Sequence, residues 1–174
     1  MRLILNSFLT TIFASITIIG GFTNAALAQS SRTDAILASQ ELFETALSLA
    51  DEVRQTCGCQ NTAATLERIS ESATEVELES RFGSRADATL KLKDVIRGVR
   101  DLRRYLPHIP NASIRLRLKR EILIAVNSAG AAVMGNQWVI VYAAPGPGST
   151  EDSVLDTSLN GVEQNLNIDV NTEF

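Results

Sequence analysis

Between Asn61 and Leu106 the chain places apolar or small residues at alternating steps of four and three. The first half of the series is Thr62, Leu66, Ile69, Ala73, Val76 and Ser80, and the second is Ala88, Leu92, Val95, Val99, Leu102 and Leu106. A repeat of about 3.5 residues lays one narrow seam along each of two helices, which is what a packed antiparallel pair requires. The segments meet at Arg81-Phe82-Gly83-Ser84. Gly83 suits the left-handed position after a helix end, and Ser84 with Asp87 three residues on reads as a capping box. An αα-hairpin is therefore predicted here.

The flanking segments extend the pattern. From Ser31 or Thr33, read as N-caps, to about Thr56, the residues Ile36, Phe43, Ala46, Leu47, Ala50 and Val53 share a broad face, widened by Leu42 and Leu49. Gly58 breaks that helix. Leu106-Pro107-His108-Ile109-Pro110 stops the third, because proline restricts the residue before it and removes a donor. Asn111 then caps a fourth helix through Ile114, Leu118, Ile122, Ala125, Val126 and Ala129, ending near Asn127 or near Met134. Glu75–Glu79 and Ile114–Lys119 also alternate with period two and could pair as strands. Their Glu, Leu, Arg and Lys content favours helix.

Gln137 to Ala143 is β-branched and aromatic, which predicts a short strand, and Pro145-Gly146-Pro147-Gly148 reads as a linker. The acidic, Asn-rich remainder is expected to be a flexible tail or one weak strand beside Trp138 to Tyr142. The fold class expected is thus all-α: an antiparallel helical bundle of about four helices over 29–135, a strand and linker over 136–148, and a loosely ordered acidic tail over 149–174.

Residues 1–28 read as a signal peptide. Arg2 supplies the positive n-region, Leu3 to Phe22 is uncharged, and Ala26-Leu27-Ala28 offers a small-x-small cleavage site before Gln29. The expected address is periplasmic or secreted, in a bacterial envelope. The uncharged stretch from Ile122 to Thr150 is interrupted by Asn127, Asn136 and Gln137. The basic cluster Arg115–Arg120 would also lie on the outer side, so no membrane span is expected after signal cleavage.

Charge is unevenly laid out. Acids exceed bases from Arg32 to Arg81, bases exceed acids from Arg85 to Arg120, and the tail after Ser149 holds acids alone. Pairing within the bundle is the favoured expectation. The sharper alternative is that Arg97, Arg100, Arg103 and Arg104 form a stripe for an anionic envelope polymer or an envelope protein. Nucleic acid is disfavoured by the export signal, by 20 acids against 16 bases, and by the lack of an aromatic stacking platform.

Cys57 and Cys59 are the only cysteines and His108 is the only histidine. In an oxidising compartment the pair can bridge locally, bridge to a second copy of the chain, or act as reactive thiols. A soft metal held by both thiolates with His108 or Met134 would need the fold to gather them. Cys57–Asn61 and Leu106–Pro110 are predicted to share one end of an up-down bundle. With no metal motif, cofactor motif or complete catalytic set in the sequence, the expected function is an exported, non-enzymatic helical binding or scaffold protein. The alternative is a thiol redox or soft-metal protein acting through Cys57 and Cys59.

Overall fold

The computed structural model describes residues 5–141 and 148–167, with side chains described from Ser31 onward except at Asn136 and Asn167. Its order is α1 (Leu5–Cys57), α2 (Gln60–Phe82), α3 (Arg85–Tyr105), α4 (Ala112–Met134) and α5 (Glu151–Gln164), with 3-10 turns at Leu106–His108, Gly135–Gln137 and Asn165–Asn167. The protein is all-α. The helix α1 packs on α2 and α4, α2 on α3, and α3 on α4, while α5 lies across α3 and α4. No helix among the described residues is long and apolar enough to cross a membrane.

The hairpin seam is the core of this arrangement. All six α2 positions and all six of the α3 series named above are buried. Ser84 accepts from the Asp87 amide and Asp87 reaches back to the Ser84 amide, which completes the capping box. Asn111 Oδ1 accepts from the Ser113 and Ile114 amides at 2.9 and 3.3 Å and starts α4. The Glu75–Glu79 and Ile114–Lys119 stretches are both helical.

Several expectations need correction. Gly83 is not left-handed; its φ is −103°. Space at Gly83 is tight: a Cβ there would fall 3.0 Å from the Glu79 carbonyl oxygen and 2.1 Å from the Glu79 carboxylate, whose flexible end can move aside. In the full chain Ser31 and Thr33 lie inside α1 rather than capping it, since no proline precedes them to stop the helix. On α1 the core runs through Leu42, Leu49, Ala46 and Val53, while Leu47 is partly exposed. The helix α4 continues past Asn127 to Met134.

The expected strand does not form among the described residues. Trp138 to Val141 is held by two asparagine side chains in place of a partner strand. Asn165 accepts from the Val139 amide at 3.1 Å and donates to the Val139 carbonyl at 3.3 Å. Asn127 does the same for Val141, at 3.4 and 3.3 Å, and also accepts from the Trp138 indole at 3.0 Å. Glycines seat the segment: a Cβ on Gly130 would lie 2.3 Å from the Trp138 ring, and one on Gly161 would lie 2.2 Å from Val141. The backbone groups a ladder would satisfy are thereby satisfied by α4 and the end of α5. Residues 142–147 and 168–174, including the rest of the expected strand and most of the linker, lie outside the described residues.

The acidic tail also departs from expectation, because residues 151–164 are helical and docked. Thr150 caps α5, Glu151 and Asp152 sit in its first turn, and Leu155, Leu159 and Val162 are buried. Acids at a helix start are favoured by the dipole, and the spacing 155, 159, 162 is one helical face.

Candidate functional site

The basic half of the chain and its acidic tail meet at the α3–α4–α5 junction. From α3, Arg100 and Arg103 both reach Glu163 of α5, at 3.0 and 2.8 Å. From α4, Lys119 donates to Asp152 at 2.6 Å and pairs with Asp156 at 2.7 Å. Arg115 stands 3.6 Å from Asp152, and Arg120 pairs with Glu151. The decisive residue is Lys119, whose side chain is only 3 % exposed. A buried ammonium is tolerated when it is paired and hydrogen-bonded, and here two carboxylates one helical turn apart supply both.

Hydrogen bonding from Lys119 holds the Asp152 carboxyl below its ordinary value of 3.8, helped by the Lys119 and Arg115 charges and opposed by burial. Asp152 therefore stays ionised at neutral pH, and Lys119 keeps its partner.

Beside this network opens a cleft of about 460 Å³, lined by Arg103, Leu106, Pro107, Arg115, Lys119, Asp152 and Asp156. The 3-10 turn at Leu106–His108 forms one wall, because Pro107 ends α3 and turns the chain toward Asn111. Across α5 a more apolar cavity of about 280 Å³ is bordered by Leu123, Ile124, Val154 and Leu155.

The arginine stripe divides in two. Arg97 pairs with Asp94 and Arg104 with Asp101, each within α3 and with an exposed guanidinium. Arg100 and Arg103 instead reach across to α5. The acidic stretch of α1 and α2 has its own partners: Glu67 with Arg54, Glu75 with Lys91, and Glu52 with Arg117. Pairing between helices is thus extensive, but the chief partner of Arg100 and Arg103 is the tail. Sequence reasoning passed over Arg115, Lys119, Asp152, Asp156 and Glu163. The signal that would have found them is the Thr150 cap followed by the helical spacing of Leu155, Leu159 and Val162.

The cysteines form an intrachain Cys57–Cys59 disulfide across Gly58, whose φ of +61° favours glycine. Both sulfurs are used, so neither serves a bridge to a second copy or a thiolate metal site in this state. The shared end is as expected, since Cys59, Tyr105 and His108 line one cavity of about 160 Å³. Met134 is not among its lining residues. No cluster of three or more His, Cys, Asp or Glu able to hold a metal occurs among the described residues.

No protein-family model matches the chain, and no curated protein or solved structure matches it either.

Proposed function

We propose that this is an exported, non-enzymatic helical protein of the bacterial envelope that binds an anionic envelope component. In this reading α1–α4 form the up-down antiparallel scaffold, and the α3–α4 face carries the binding groups. The observation that supports it is the convergence of Arg103, Arg115 and Lys119 on one open cleft. The docking of α5 is an internal instance of the same chemistry, because its carboxylates are recognised by Arg100, Arg103 and Lys119. Arginine forks suit carboxylate and phosphate oxygens, and partial burial strengthens each contact. The test is retention of purified lipopolysaccharide or other anionic envelope polymers on the immobilised protein, at low and high salt. Salt-sensitive retention is expected. Failure to retain any envelope component would remove the reading, and reproducible turnover in a broad substrate screen would make the protein an enzyme instead.

A second reading, thiol exchange, is favoured by the Cys57–Cys59 bridge lying beside Tyr105 and His108. A dithiol partner would attack one sulfur, leave Cys57 and Cys59 as two thiols, and carry away the disulfide. Thiol counting after exposure to a dithiol protein should then show two thiols per chain. A bridge that resists such a donor, with an unchanged strain phenotype for Cys57→Ser/Cys59→Ser, makes the pair a loop staple.

A further inference from the structure

We propose that the cleft between α3, the Leu106–His108 turn and α4 is a phosphate-monoester site, with Arg103, Arg115 and Lys119 as its ligands. This rests on the anion-binding reading above and names the group recognised. The inference comes from a count of donors and acceptors. A guanidinium offers five N–H donors and no acceptor, and an ammonium offers three. Arg103 uses Nη1 for Glu163, which leaves its Nη2 donors without an acceptor among the described residues, while its Nε is buried away from the cleft. Arg115 spends one donor on the Ile109 carbonyl at 3.3 Å, and its 3.6 Å contact with Asp152 is too long for a hydrogen bond. Lys119 gives two of its three donors to Asp152 and Asp156, which leaves one for a ligand.

Both guanidiniums are about three-quarters shielded, with side-chain exposures of 27 % for Arg103 and 24 % for Arg115. Shielded donors without acceptors are costly, so the cleft favours a ligand rich in acceptors and free of donors. The charges agree. Arg100, Arg103, Arg115 and Lys119 face Glu163, Asp152 and Asp156, which leaves one positive charge in excess.

The number of terminal oxygens favours phosphate over carboxylate. The cationic groups come from two helices on either side of a turn, and a tetrahedral group with three terminal oxygens can meet all three, whereas a carboxylate has two. A volume of about 460 Å³ admits the phosphate with a short ester substituent lying over Leu106 and Pro107. Asp152 is the built-in competitor for Arg115, and its loose contact is the one an incoming oxyanion displaces.

The experiment is calorimetric titration of the purified full chain with inorganic phosphate, glycerol 3-phosphate and acetate, alongside flotation with phosphatidylcholine vesicles with and without phosphatidic acid. Saturable phosphate binding is expected, at least ten-fold tighter than acetate. Arg115→Ala should weaken it ten-fold or more. Asp152→Asn should tighten it several-fold while Asp156 keeps Lys119 in place. Arg97→Ala, whose partner is Asp94 on its own helix, should change nothing. Tighter binding of phosphatidic acid vesicles than of glycerol 3-phosphate assigns the site to a lipid headgroup, and the reverse assigns it to a soluble ester. Absence of saturable phosphate binding overturns the site, as does equal loss in Arg115→Ala and Arg97→Ala. Retention of an envelope polymer without phosphate binding would overturn the site alone, and phosphate binding without retention would overturn the wider reading alone.

Discussion

Val99→Asp should cost roughly 3–5 kcal/mol of stability, the range expected for an uncompensated buried charge. Val99 is fully buried on α3, and its neighbour Gly98 leaves the space Ile69 of α2 fills: a Cβ on Gly98 would come 2.6 Å from Ile69 Cγ1. A carboxylate in that seam has apolar neighbours above and below it, at Val95 and Leu102 on the same face. A domain's whole stability is about 5–15 kcal/mol, so at the low end of that range the loss removes most of the margin against unfolding. Arg97→Ala, two residues earlier on the exposed face, should stay within about 0.5 kcal/mol of wild type. Urea unfolding followed by circular dichroism gives both values. An unchanged midpoint for Val99→Asp would mean that the α2–α3 seam is not the core.

The second large effect is expected from Asp152→Ala/Asp156→Ala. This pair of changes leaves the Lys119 ammonium, 3 % exposed, without either carboxylate. Stranding a buried charge costs roughly 3–5 kcal/mol, and the long lysine stem relieves part of that by turning its head toward water. The loss falls on the docking of α5. A helix of 14 residues is marginal alone, so α5 should melt once released. Lys119→Met in the same background should restore docking, because an apolar side chain of similar length removes the stranded charge. Acid should act in the same direction. The Asp152 carboxyl is depressed from 3.8, so its contribution is complete above the unfolded value and disappears as pH falls through the lower folded value. Weakening of α5 docking through this group therefore begins below about pH 4.

Much of the helical framework was legible because its signals are local. The four-three spacing of α2 and α3, the Ser84–Asp87 box and the Asn111 cap each depend on residues within a turn or two of one another. The shared end of Cys59 and His108 followed from short connections. Other features depend on distant groups. Leu42 and Leu49, rather than Leu47, face the core of α1 because α2 and α4 set the rotation of that helix, which its own broad apolar face leaves loosely defined. Trp138 to Val141 has strand composition but no strand partner among the described residues, and Asn127 and Asn165, 11 and 26 residues away from the groups they hold, could not be assigned that role from spacing. The tail was read by composition, as acidic and Asn-rich. Its helical spacing was present, but its acids become stabilising only against Arg100, Arg103 and Lys119.

The most direct measurement of the docked acidic helix and the cleft it closes is amide hydrogen exchange across Glu151–Gln164 in the intact protein at neutral pH. Protection well above free-peptide rates is expected in wild type, with loss in Asp152→Ala/Asp156→Ala and recovery on adding Lys119→Met. Exchange of this segment at free-peptide rates in wild type, with α2 and α3 still protected, would contradict it.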